Sequence, residues 1–268
     1  MNAIFAFGSL ADAALLVALS SARIAVAFLL VPLFTGDLIP ATVRSAIFLS
    51  FGLLGLAMQP PLAPDALQHA NWLVLFAKEA LVGGGIGFLF GTVLWAFEAA
   101  GQLIDTKVGA TTAQVTDPLS GQQTPLTGAF LGRLANFVFM FSGGLLLFVG
   151  TLLDSYRLWP VMAPLPALKA GGLVVFEHEF GRLMVVALLV AAPALVVLFM
   201  IDAVLGLVNR YAPQLNVFAL SMSLKTWAST LVLMLTLGAM VQAIVADVQG
   251  RPAVVLRAIQ SLFGSGGG

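Results

Sequence analysis

The sequence predicts a polytopic, all-α membrane-type protein, and three observations lead there. Of its 268 residues 60% are hydrophobic and 9% charged, against about 25% charged in an ordinary soluble domain. The apolar residues are gathered into about six long runs, and strand-like alternation is nowhere sustained. With 12 basic and 12 acidic side chains the formal net charge is zero. That balance gives no footing to nucleic acid or to a polybasic anchor, and so few charges cannot cover an isolated globule in water.

The runs are 10–33, 41–58, 71–105, 127–154, 173–209 and 226–248. A hydrocarbon core of about 30 Å needs roughly 20 helical residues, so the first, second, fourth and sixth are sized for single spans. The first has no basic residues ahead of it and no small-residue cleavage site behind it, unlike a removable signal peptide. The third and fifth are too long for one simple span. Gly83, Gly84, Gly85, Gly87 and Gly91 in the third and Pro193 in the fifth make each a candidate for a kink or for two stacked helices. Polar or Pro-rich breaks fall at 35–40, 59–64, 159–172 and 210–225. The organisation expected is one helical domain over 1–263, with 264–268 a flexible glycine-rich tail.

Orientation does not follow from loop charge. A six-span arrangement puts Arg157, Lys169, Arg251 and Arg257 on one side and Arg44, Lys107, Arg210 and Lys225 on the other, a tie under the positive-inside rule. Either the span count differs or some helices do not cross a bilayer in the usual way.

Charges also lie inside apolar runs: Asp12, Arg23, Lys78, Glu79, Glu98, Arg133 and Asp202. At bilayer depth a charge costs a few kcal/mol or more, so each needs a counter-charge, a protein interior or a watery path. Pairing within the fold or at a subunit contact is the plain reading. A proton or ion relay would gather such groups at one depth on broken helices, whereas these are scattered. Asp12, Glu98 and Asp202 also stand where helix-end snorkelling is open to them.

Gly83, Gly87 and Gly91 recur every four residues and share a helix face suited to close approach. Gly143 and Gly144, with Gly150, suggest a second close-packed face. The glycine string follows no strand, which removes a dinucleotide-binding reading. Glu177-His178-Glu179 lacks metal-ligand spacing, cysteine is absent, and there is no Walker sequence or nucleophile elbow. No enzyme, metal site or cofactor is indicated.

The most informative segment is DTKVGATTAQVTDPLSGQQTPL, Asp105 to Leu126, a polar connection between very apolar runs. Val108, Val115 and Leu119 interrupt its polar residues, and Asp117-Pro118 and Ser120-Gly121 favour turns. Such a connection is expected to be ordered and functional rather than a loose linker.

The stretch Phe97 to Leu131, with EAAGQLIDTKVGATTAQVTDPLSGQQTPLTGAFL, resembles the T subunit of the type III secretion export apparatus, the SctT family, whose flagellar counterpart is FliR. A second block, NRYAPQLNVFALSMSLK from Asn209 to Lys225, resembles that family's Arg-aromatic-Ala-Pro-Gln-Leu-Asn-Val-Phe segment. Arg23 with Pro32, then Pro40 and Arg44, match its first hairpin. The flagellar branch usually has a Gly-His pair after the polar loop. Here Ser142-Gly143-Gly144, Asp154-Ser155-Tyr156 and Trp159-Pro160 look more like the injectisome branch.

The resemblance implies stacked helical hairpins in a non-enzymatic export gate of the bacterial inner membrane, partly raised toward the periplasm. It implies R and S subunits as partners in the channel, the U switch subunit, the inner rod and basal-body rings, unfolded secreted polypeptides and membrane lipid. By position, Gly109, Ala110, Thr111, Thr112, Ala113, Gln114, Asp117, Pro118, Gly121, Gln122 and Gln123 become a channel plug. The alternative for that loop is bracing of its neighbours by side-chain hydrogen bonds. Arg23, Arg44, Lys78, Glu79, Glu98, Asp105, Arg133, Asp202, Arg210, Pro213, Gln214, Asn216 and Lys225 become subunit contacts or buried polar groups, with an intrachain corner the alternative at Arg210–Lys225. Flagellar export and, from another class, a secondary transporter using the intramembrane charges remain the competing functions.

Overall fold

The computed structural model describes residues 10–33, 39–59, 71–109, 126–163, 170–211 and 217–263. Every regular element among them is helical: α1 (Leu10–Leu30), α2 (Ala41–Ala57), α3 (Trp72–Val108), α4 (Leu126–Phe141), α5 (Gly144–Leu158), α6 (Ala170–Tyr211) and α7 (Val217–Phe263). Four of these, α1, α3, α6 and α7, contain stretches long and apolar enough to cross a membrane, and α4 with α5 forms a broken fifth.

Helix ends follow local chemistry. Pro40 stands at the N-cap of α2 with φ −55°, a value preorganised for helix entry. Gly109 ends α3 at φ 87°, a left-handed C-terminal stop that glycine adopts without a Cβ penalty. Pro160 follows α5 and cannot extend its ladder, while the Trp159 N–H still donates to the Ser155 carbonyl at 2.9 Å.

Three expectations from the sequence change. The third and fifth runs, candidates for a kink or for two stacked helices, are each one continuous helix, of 37 and 42 residues. Each glycine in α3 costs about 1 kcal/mol of helix propensity, which close packing at Gly83 and Gly87 offsets. The fourth run does break: Gly143 adopts φ 82°, and a Cβ on it would meet nothing within 4 Å. Gly143 is thus a hinge in the chain, not part of a packing face. The sixth run is far longer than expected, 47 residues with Pro252 inside it.

The described chain divides into two compact units, each with its own interior. The first comprises the described residues up to Gly91 together with Gly143–His178 and those from Gln249 onward; the second comprises Thr92–Ser142 and Glu179–Val248.

In the first unit α1 meets α2 and α3 at nearly backbone distance. A Cβ on Gly87 would lie 2.5 Å from the Ala27 carbonyl oxygen, and one on Gly52 would collide with Ser21. An aromatic row crosses this unit: Phe28 of α1 lies 5.5 Å from Phe48 of α2 and 5.0 Å from Phe148 of α5, which is 5.2 Å from Phe90 of α3. These centroid separations are those of favourable ring pairs. In the second unit Ala96 of α3 packs with Leu183 and Ala187 of α6, flanked by Trp95, Ala99 and Val186. There a Cβ on Gly101 would fall 2.6 Å from Gly128 Cα, so α3 and α4 touch backbone to backbone.

Candidate functional site

Several of the charges that the apolar runs carry are paired within the chain, Arg23, Lys78 and Glu79 in the first unit and Asp202 with Lys107 and Lys225 in the second. In the first, Arg23 projects from α1, Lys78 and Glu79 from α3, and all three side chains are fully buried. Arg23 Nε donates to Glu79 Oε2 at 2.6 Å and Nη2 to Oε1 at 2.9 Å, a two-point grip of guanidinium on carboxylate. Its remaining donors reach Ser155 Oγ and the Trp159 carbonyl, each at 2.9 Å. The guanidinium carbon stands 4.1 Å from the centre of the Tyr156 ring, a cation–π contact. Tyr156 in turn donates its hydroxyl to the Ser20 carbonyl.

Lys78 reaches the chain just past α5. Its ammonium donates to the carbonyls of Pro160 at 3.0 Å, Val161 at 2.5 Å and Ala163 at 3.0 Å, and lies 3.1 Å from Glu79 Oε1. Gln59, just beyond α2, accepts the Val161 N–H at 2.7 Å. Two cations therefore share one carboxylate, and carbonyl dipoles and an aromatic face carry the excess positive charge. A buried charge is tolerable only with this degree of satisfaction. The cluster ties α1, α3 and α5 together; its geometry is that of a lock.

In the second unit two separate sets of polar contacts stand near the helix ends that bound the polar connection. Asp105, on the last turns of α3, accepts the N–H of Gly128 at 3.0 Å, a carboxylate at the N-terminal turn of α4. Lys107 Nζ is 2.8 Å from Asp202 Oδ2 on α6 and 4.0 Å from the centre of the Phe199 ring. Lys225 of α7 pairs with the other oxygen of Asp202. Elsewhere in the unit Arg182 of α6 pairs with Asp247 of α7 and lies 3.6 Å from Glu179.

Of the residues singled out from the sequence, Arg23, Lys78 and Glu79 are brought into one cluster and Asp202 and Lys225 into another, while Asp105 bonds separately to Gly128. Glu98 is half-buried, accepts from Gln102 at 3.3 Å and borders Gly132. Arg44 is half-buried in the first turn of α2, Arg133 is exposed on α4 and Arg210 is exposed near the end of α6. Gly83 abuts the Arg23 backbone and Gly91 is buried in α3, while Gly144 is buried in α5. Of the expected plug only Gly109 is described; 110–125, like Pro213, Gln214 and Asn216, lies outside the described residues.

Sequence reasoning missed Ser155, Tyr156, Arg182, Asp247 and Arg251 as structural polar groups. Arg182 and Asp247 obey the same charge-in-apolar-run logic as Asp202, and that signal was available. Arg251 looked like a loop charge because the sixth run was ended at 248. It is buried inside α7 and donates to the Leu89 carbonyl at 3.0 Å.

Long apolar helices whose interior charges are bonded within the chain define a multi-pass helical membrane protein. The model of the family described as "Bacterial export proteins, family 1" matches residues 14–250, and the chain belongs to that family, the SctT/FliR export proteins. It is 31% identical over 217 residues to the Yop proteins translocation protein T of Yersinia pestis, covering 80% of this chain and 82% of that protein. It is 33% identical over 222 residues to the surface presentation of antigens protein SpaR of Salmonella typhimurium, 81% of each chain. With the flagellar biosynthetic protein FliR of Bacillus subtilis it shares 30% identity over 213 residues, 79% of this chain and 82% of that one. The chain is a subunit of a secretion export apparatus of the type III kind, working in an assembly with other export subunits.

Proposed function

We propose that this chain is the T-type subunit of a type III protein-export gate in the bacterial inner membrane, of the injectisome branch. It forms the protein-conducting channel with R and S subunits and plugs it with the 109–124 connection. It does no catalysis, so the energy for export comes from other components. Its further neighbours are the U switch subunit, the inner rod and the basal-body rings, and its cargo is unfolded secreted polypeptide.

The observation that carries this reading is helix length combined with exposed apolar surface. At 1.5 Å per residue the 42-residue α6 runs about 63 Å and the 47-residue α7 about 70 Å. The hydrocarbon core is about 30 Å thick. Yet exposed apolar side chains continue along α6 from Val174 through Leu188, Leu189 and Phe199 to Leu207, a stripe about 50 Å long. At the ordinary tilt of about 20° lipid covers about two-thirds of it. The remainder needs the apolar surface of other chains, as in an assembly that rises out of the bilayer. Helices extending beyond the lipid also account for a loop-charge count that does not choose an orientation.

The composition of the connection suits a plug. Gly109, Ala110, Thr111, Thr112 and Ala113 are small and uncharged, able to close a channel against water and ions without gripping a passing chain. Nothing favours the secondary-transporter alternative. Arg23, Lys78 and Glu79 are committed to one another and to backbone carbonyls, and Asp202 to two lysines.

The test is to delete residues 110–122 and measure permeability to ions and small solutes in membranes carrying the assembled complex. A leak is expected. Unchanged permeability, with neutralisation of Asp202 or Glu79 abolishing uptake of a solute, overturns the plug in favour of a transporter.

A further inference from the structure

The polar cluster of the second unit has a feature that neither the family nor the plug reading explains. Asp202 is shared between two lysines from two different helices, Lys107 of α3 and Lys225 of α7. Lys107 stands two residues before Gly109, where α3 stops. At the other end of the connection, Gly128 gives its N–H to Asp105 and its backbone lies against Gly101. Both helix ends that bound the connection are therefore tied to α3, and α3 is tied through Lys107 to α6 and α7.

We propose that Asp202 is a positioning residue: a two-lysine junction that holds the end of α3, and with it the start of α4, in fixed register against α6 and α7. This role rests on the plug reading, since it is the connection between those two ends that the junction holds in place.

Three physical points support it. The cluster is only partly buried, with side chains 29% exposed at Lys107, 33% at Asp202 and 12% at Lys225, so it is not a packed core pair. It joins three helices through one residue, so removing Asp202 releases two contacts at once. The Phe199 ring, one turn from Asp202 on α6, supports the Lys107 ammonium from a second side, which fixes the direction from which that lysine docks.

The experiment uses the assembled complex and exploits the absence of cysteine from the chain. Spin labels are placed at Thr106→Cys on α3 and Val204→Cys on α6, both exposed positions. Distance distributions are compared among Asp202→Asn, Asp202→Glu and the parent, with ion permeability measured on the same samples. Asp202→Asn is expected to broaden the distribution and raise permeability several-fold, and Asp202→Glu to restore both. Lys107→Gln provides a second variant that leaves the Lys225–Asp202 pair neutral, so it assembles even where Asp202→Asn does not; it is expected to behave as Asp202→Asn does.

An unchanged distribution in these variants overturns the proposal whatever the permeability. A broadened distribution with normal permeability, where deletion of 110–122 leaks, also overturns it, because Asp202 then acts on the fold alone. If that deletion does not leak either, it is the plug reading that fails, and the broadened distribution still supports the junction.

Discussion

Arg23 and Glu79, 56 positions apart, meet through two parallel hydrogen bonds of 2.6 and 2.9 Å with neither side chain reaching solvent. Glu79 is also the only carboxylate beside Lys78 among the described ion pairs of that cluster. It neutralises one of two buried cations and orients the other toward the carbonyls past α5.

Glu79→Gln is therefore expected to be the most damaging single change in the first unit. It keeps the shape and leaves two buried cations without a counter-charge, a loss of about 3–5 kcal/mol. Thermal unfolding of the purified protein in detergent checks it; a midpoint equal to that of the parent would show that the pair contributes nothing.

Tyr156→Phe isolates a single hydrogen bond. The ring stays beneath Arg23 and against Gly55, but the Ser20 carbonyl loses its side-chain donor. The Ser20 carbonyl keeps its helical partner within α1, so the expected cost is about 0.5–1.5 kcal/mol, read by the same unfolding assay. It should be smaller than that of Glu79→Gln, and the reverse order would contradict the charge reading.

Glycines in this chain divide by what surrounds them. Gly87→Ala pushes a methyl to 2.5 Å from the Ala27 carbonyl and is expected to cost about 1–3 kcal/mol as α1 and α3 separate. Gly150→Ala meets nothing within 4 Å and should gain about 0.5–1 kcal/mol of helix stability. Equal effects at the two sites would mean that α1 does not pack against α3 as closely as described.

Gly143→Ala tests the break between α4 and α5. Its φ of 82° strains any residue with a Cβ by about 1–3 kcal/mol, although the space around it is open. Gly143→Asn should be milder, because asparagine enters the left-handed region more readily. A stability assay that ranked alanine above asparagine would argue against the left-handed hinge.

Much of the helical fold was legible because apolar runs in a chain this poor in charge have few alternatives. The need of Arg23, Lys78 and Glu79 for partners was legible for the same reason. Their actual pairing was not, since it depends on α1 and α3 packing at Gly83 and Gly87. Gly143-Gly144 was ambiguous in principle: glycine serves a close contact and a left-handed hinge equally, and only the tertiary path of the chain chooses. The end of α7 misled because Gln249-Gly250-Arg251-Pro252 has the composition of a break. The helix continues there with Arg251 drawn in to the Leu89 carbonyl. Residues 110–125, the most distinctive part of the sequence, lie outside the described residues, and the plug proposed for them rests on composition and family membership.

The break at Gly143 bears on how hydropathy translates into spans. α4 and α5, at 16 and 15 residues, are about 24 and 22 Å long, each short of the roughly 30 Å that a spanning helix must cover. Taken together by hydropathy, residues 126–158 are long and apolar enough to cross a bilayer, yet they bend by 69° at the break. The finished protein holds the two halves as separate helices, with Ser155, Tyr156 and Trp159 of the second half engaged by α1. A segment that hydropathy alone reads as one span is thus held as two helices, the second of them fastened to α1 through Arg23 and the Ser20 carbonyl.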